Sequence, residues 1–393
     1  MQIYNILKQV REQRNFEIAD VANASKISLS SLEKIESGEK DPSFNQIENL
    51  AKTYGVQPYL FYDANSPNIP EGLTDFRRTT PSPAKISPAG FRRIWTSEAI
   101  AGFANQLLEV TGYQRPPWTN EPLRGNISLE RATKLRNFFD SWFSNKELGF
   151  GFLGSDEHCF LSGLRIFIEL TGITININDA PPEDFIGFYN SNPNETPSIF
   201  VNRKIASKKA QLFTLVHELA HHLLDKDGIS NPFRAKNQIE RRCNEFAAEF
   251  IAPMESFQLL VEKHISRSNQ NAIELINIIS SKSLLSRYAT AIRLKEAGYL
   301  KDADLKQWIK INSNLYFALR EEKLEESESA GSGGQVHAKR LSELGYLPTY
   351  LAATAVRKKI IDRIDVQQGM FLAESIQDKA FSLAKRRVEV AEA

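Results

Sequence analysis

His217-Glu218-Leu219-Ala220-His221, with Phe213-Thr214-Leu215-Val216 before it and Leu223-Leu224 after it, is the stretch on which the reading of this chain turns. Residues four apart on an α-helix sit one above the other, so His217 and His221 point a nitrogen each at one metal ion. Glu218, one residue further round, reaches a water on that metal. The run is apolar nearly all round, as in a buried helix, and a buried histidine needs a partner. Two core histidines satisfied by ordinary hydrogen bonds are the bland alternative, which so apolar a helix disfavours. His222 stands about 100° off the ligand stripe and reads as a flanking residue.

Zinc that keeps a bound water takes a third protein ligand. Ile239 to Ile251 (I-E-R-R-C-N-E-F-A-A-E-F-I) carries a helical apolar stripe on Ile239, Cys243, Phe246, Ala247 and Phe250. Glu240 and Asn244 border that stripe, whereas Glu245 and Glu249 are expected to face solvent. Glu240 is therefore the expected third ligand. Asn244, one turn on, is placed to hydrogen-bond a ligand histidine and fix its tautomer, its other reading being a solvated polar residue. Two neutral imidazoles, one carboxylate and an open position lower the pKa of a zinc-bound water towards neutrality, which makes Glu218 the expected catalytic base and Zn2+ the expected cofactor.

Phe213 to His221 (F-T-L-V-H-E-L-A-H), Glu240 to Pro253 (E-R-R-C-N-E-F-A-A-E-F-I-A-P), and the preceding Gly187-Phe188 and Ile199-Phe200-Val201-Asn202 resemble the ImmA/IrrE family of zinc metallopeptidases. The resemblance implies a zincin-like domain with His217, His221 and Glu240 as zinc ligands and Glu218 as catalytic base. It also implies a substrate class, since members commonly act on helix-turn-helix repressors and so switch on stress or mobile-element genes.

The first sixty residues have another organisation. Ile3, Leu7 and Val10 space as one helix, Ile18 and Val21-Ala22 as a second, Ile27, Leu32 and Ile35 bracket a third, and Ile47, Leu50 and Ala51 mark a fourth. Short helices with tight turns describe a helix-turn-helix domain. Val21 to Glu36, followed by Ser37-Gly38 and Pro42-Ser43, resembles the phage-repressor or XRE-like family, with Ser28 to Ser37 as the recognition helix. The module departs from that family at Glu17, where a glutamine usually opens the second helix, and at Lys26, where the turn usually has glycine. Leu29 and Glu33 also occupy positions that often face bases or phosphates. Residues 1–65 carry seven basic against nine acidic side chains, a net −2, whereas DNA-binding modules normally show a basic footprint. DNA recognition, through Ser28, Ser30, Ser31 and Lys34, thus stands beside a dimerisation or repressor-docking role.

The chain has 393 residues and a formal charge of +1, so two or three domains are expected and no global field advertises nucleic acid or membrane. Cys159 and Cys243 are too few for a disulfide framework and read as reduced, buried thiols. With no signal-peptide pattern and no apolar run long enough for a bilayer, a cytoplasmic protein is expected. The fold class is α+β and predominantly helical: a zincin-like metallopeptidase domain with a small mixed sheet, preceded by an all-α helix-turn-helix domain. The expected divisions are the helix-turn-helix domain over 1–63, a Pro-rich linker or arm over 64–94, a helical scaffold over 95–150, the peptidase over 151–326, and a flexible break with a small helical lobe over 327–393. The linker contains Pro67, Pro70, Pro81, Pro83 and Pro88, together with Asp75-Phe76-Arg77-Arg78, which resembles a short signature of long family members. Ile173, Ile175 and Ile177 alternate with polar residues as an edge strand does, and a peptide substrate could add to that edge. Arg287, Tyr288 and His264 are candidates to stabilise an oxyanion. The expected partners are a protein substrate, a repressor or antitoxin of the helix-turn-helix kind, DNA, and a second copy in a homodimer. A transcriptional regulator whose peptidase-like unit serves as sensor or partner-binding surface, with little turnover, is the competing function.

Overall fold

The computed structural model describes residues 3–62, 86–120, 125–265, 272–311 and 336–393, with 74–75 and 82–83, omitting 15, 55, 57, 153, 192–195, 206, 227 and 231–237. Its N-terminal unit is four helices, α1 (Ile3–Gln13), α2 (Ile18–Ser25), α3 (Leu29–Glu36) and α4 (Phe44–Tyr54). Ile6, Leu7, Val10, Val21, Leu32, Ile35, Ile47 and Leu50 bury the stripes that their spacing announces. The recognition helix expected over Ser28 to Ser37 is α3, with Ser28 as its N-cap, accepting a hydrogen bond from the Ser31 amide, and Ser37 as its C-cap. Lys26, at the usual glycine of the turn, takes the left-handed conformation at φ 57°.

Most of the proline-rich stretch lies outside the described residues, as do Phe76, Arg77 and Arg78. Pro88, expected in the linker over 64–94, instead opens α5 (Pro88–Thr111), where its missing N–H costs nothing, and Ser87 caps that helix while hydrogen-bonding the Asp184 carboxylate. The helix ends at Gly112, whose φ of 64° suits a residue without a Cβ. α6 (Leu129–Ser144), α7 (Glu147–Phe150) and α8 (Asp156–Leu170) follow.

A mixed sheet of β1 (Thr74–Asp75), β2 (Ser82–Pro83), β3 (Thr174–Asn178), β4 (Gly187–Asn190), β5 (Ser198–Asn202) and β6 (Gly228–Ser230) has the order β2-β1-β6-β4-β5-β3. β4 runs antiparallel to both of its neighbours, with Gly187 opposite Val201 on one side and Ser230 on the other. Alternation splits the sheet between two cores. Tyr189, Ile199, Val201, Ile175 and Ile177 face the core of α9 (Lys208–Leu224) and α10 (Gln238–Ile251). Phe188 and Phe200, stacked at 4.9 Å, join Phe185, Phe91 and Ile94 in the core of the four N-terminal helices. The helix-turn-helix unit is thus packed on the sheet face opposite α9.

α11 (Met254–Ile265), α12 (Ala272–Lys282), α13 (Arg287–Glu296) and the helical residues 302–311 come next. The expected flexible break, residues 327–334, lies outside the described residues. The segment read as a C-terminal lobe is α14 (Val336–Leu344), α15 (Tyr346–Arg357), α16 (Arg363–Met370) and α17 (Glu374–Glu392), whose Leu344, Leu351, Val366 and Val388 belong to the same core as α8 and α9. Buried Arg165 ties the two together, bonding Glu169, the Ser342 carbonyl and the Ile175 carbonyl. Glu169 in turn accepts from the Tyr346 and Leu347 amides, an anion at a helix N-terminus. β3 corrects one expectation: it is an edge strand by order, but all five of its residues are buried and α14 packs over it, Asn176 bonding the Glu343 carbonyl, so this edge is covered rather than open to an incoming peptide. Among the described residues no helix is long and apolar enough to cross a membrane.

Candidate metal centre

Ser207 caps α9, accepting from the Ala210 amide, and the helix buries Leu212, Leu215, Val216, Leu219, Ala220 and Leu223. That burial drives His217, Glu218 and His221 inward too, each 0% exposed. α10 packs against α9 through Cys243, Phe246, Ala247 and Phe250, and the same face carries Glu240, also 0% exposed.

Three donor atoms converge. His217 Nε2 and His221 Nε2 stand 3.3 Å apart, His221 Nε2 is 3.1 Å from Glu240 Oε1, and His217 Nε2 is 3.4 Å from Glu240 Oε2. Tetrahedral zinc with ligands at about 2.0–2.1 Å sets its donors roughly 3.3 Å apart, so the triangle has the right size. The other ring nitrogens are engaged. His217 Nδ1 meets Asn244 Oδ1 at 2.8 Å, and His221 Nδ1 meets the Lys226 carbonyl at 3.2 Å. Both partners are acceptors, so each Nδ1 carries a proton and each Nε2 presents a lone pair inward. Two lone pairs and a carboxylate crowded into a buried space repel one another until a cation lies between them. His217, His221 and Glu240 are the buried group, among the described residues, whose ligand atoms cluster closely enough to hold a metal.

Electrostatics agree. Burial would raise the Glu240 carboxyl, but the charge of His217 and hydrogen bonds to both histidines outweigh it and hold it down to about 2. Burial would lower His217, and the Glu240 charge and hydrogen bond overcome it, raising the group; at His221 burial prevails and the pKa falls.

The structure brings together His217, Glu218, His221, Glu240 and Asn244, all named from spacing. Glu245 is exposed as expected, but Glu249 is not: it is buried in an ion pair with Arg293 and accepts from Thr133, because α13 and α6 close over that side of α10. His222 is more than a flanking residue, being buried with its Nδ1 3.1 Å from the Tyr189 hydroxyl. The Lys226 carbonyl was not foreseen; it reaches His221 because Asp225 turns left-handed (φ 53°) directly after α9, and only aspartate's tolerance of that conformation signals it. Arg287 and Tyr288 are exposed on α13, and His264 bonds its own helix at the Leu260 carbonyl. Cys243 is buried and free, with burial pushing its thiol well up, and Cys159 is free and partly exposed. In the N-terminal unit Ser28, Ser30 and Lys34 are exposed along α3, while Ser31 is half-buried and accepts from Lys40 Nζ at 2.9 Å.

Residues 168–275, which include the whole centre, match the family model described as the IrrE N-terminal-like domain. Residues 4–67 match the model described as a helix-turn-helix domain. The chain therefore carries an IrrE N-terminal-like domain behind an N-terminal helix-turn-helix domain. It is also similar to the HTH-type transcriptional regulator DdrOP3 of Deinococcus deserti, 27% identical over 101 residues that cover 24% of this chain and 78% of that protein. No solved structure matches.

Proposed function

We propose that the chain is a zinc-dependent endopeptidase of the ImmA/IrrE type that cleaves a helix-turn-helix repressor or antitoxin and thereby derepresses stress or mobile-element genes. The observation that carries this reading is the convergence of His217 Nε2 and His221 Nε2 of α9 with Glu240 of α10, Glu218 following His217 on α9. A zinc ion held by those three would polarise a scissile carbonyl and lower the pKa of its water towards 7. Glu218 takes the proton from the attacking water and returns it to the departing amine, as general base and then general acid. Asn244 and the Lys226 carbonyl hold the two imidazoles in the tautomer that leaves Nε2 free. Incubating the zinc-loaded chain with the helix-turn-helix regulators encoded in the same genome, and reading fragments by mass spectrometry, tests the proposal. Zinc-dependent scission of one regulator is the expected result; none cut by the zinc-loaded chain would overturn it.

Two observations favour a second reading, a transcriptional regulator whose peptidase-like unit senses or docks a partner. The curated relative carries a regulator's name, and all four side chains of the centre are closed to solvent. In that reading α3 offers Ser28, Ser30 and Lys34 to DNA, with Glu33 exposed beside them as a repulsive charge.

A further inference from the structure

The strand that passes the centre has a glycine where it meets the proposed base. β4 points residues 187 and 189 towards α9 and residues 188 and 190 away. Tyr189 fills its inward position, but Gly187 leaves its own empty, and the space is taken from the other side. A Cβ on residue 187 would lie 2.5 Å from Glu218 Oε1, 3.1 Å from Glu218 Cδ and 2.6 Å from Thr214 Cγ2, one turn earlier on α9. Backbone freedom does not explain this glycine, because its φ is outside the left-handed region and its ladder partners are regular. Glycine in a strand interior costs stability and marks a close approach. What approaches here is the carboxylate.

We propose that Gly187 is the positioning residue for Glu218: its bare backbone forms a notch in β4 that seats the Glu218 carboxylate beside the metal ligands. This inference rests on the peptidase reading. The Glu218 carboxylate end can swing aside, whereas the buried Thr214 methyl must shift with its helix, so Gly187→Ala should cost some stability, keep the metal ligands in place and push the base aside. A displacement of about 1 Å at a reacting group costs roughly 10²-fold in rate.

The test uses the full zinc-loaded chain. Gly187→Ala should keep the zinc content of the wild type by elemental analysis, and on the regulator cut by the wild type it should lose about 10²-fold in kcat with KM unchanged. A second readout does not depend on turnover. Gly187→Ala should lower Tm more in the wild-type background than in the Glu218→Ala background, where the clashing carboxylate is gone. Wild-type kcat in Gly187→Ala, or an equal loss of Tm in both backgrounds, would overturn the inference while leaving the peptidase reading intact. A wild type that cuts nothing would sink the peptidase reading, and the pair of Tm differences would still decide whether Gly187 seats Glu218.

Discussion

At His217 a single neighbour decides the chemistry: Asn244 Oδ1, 2.8 Å from Nδ1, keeps the proton on that nitrogen and leaves Nε2 as a lone pair. Losing an imidazole removes a ligand, so His217→Ala should abolish the expected stoichiometry of about one zinc per chain. Elemental analysis checks it, and full zinc content in the variant would move the site elsewhere. Lys26 gives a prediction of the opposite kind. A lysine held at φ 57° pays for its Cβ, so Lys26→Gly should raise the stability of the helix-turn-helix unit by about 1 kcal/mol, measured by urea unfolding. A loss of stability would mean that the Lys26 side chain contributes more than the strain costs.

Along α3 the elements meet their surroundings. If its exposed face lies in a groove, affinity for DNA should fall steeply with salt, and Lys34→Ala should reduce the slope of log K against log salt by about one. Salt-insensitive behaviour, or a slope unchanged in Lys34→Ala, would leave α3 as a protein-docking face. The charge count of the module exaggerated its available cations: Arg11 is taken up in a bidentate pair with Glu36, and Arg14 is half-buried with its guanidinium over the Phe91 ring. Helix spacing nevertheless made α1 to α4, α9 and α10 legible, because each buries one apolar stripe and the stripe is visible in one dimension. Glu240 and Asn244 were legible for the same reason. What the spacing could not convey is which surface each second face meets. Glu249 has the pattern of a solvent residue and becomes buried when Arg293 arrives from 44 positions away. Ile173, Ile175 and Ile177 alternate as a half-exposed strand does, yet α14, from the far end of the chain, covers that edge. Gly187 carries no side chain for a pattern to register, and its meaning appears only when β4 is laid against Glu218.

Across the whole molecule the N-terminal helices are joined to the sheet by one continuous core, in which Phe16 packs on Phe91 and Phe188 stacks on Phe200. β4 therefore has Phe188 in the helix-turn-helix core and Gly187 against Glu218. Deleting residues 1–62 would bare Phe91, Phe188 and Phe200, so the truncated chain should melt at a lower temperature or aggregate, and the full chain should show one cooperative transition in calorimetry. Two transitions, with the upper one unchanged by truncation, would contradict a shared core. The central claim is chemical, and one substitution addresses it. Glutamine is nearly isosteric with glutamate, so Glu218→Gln should keep zinc and fold while losing the proton acceptor. At equal protein and zinc content, its rate of regulator cleavage should fall about 10²–10⁴-fold below that of the wild type. Cleavage at the wild-type rate by Glu218→Gln would contradict the account.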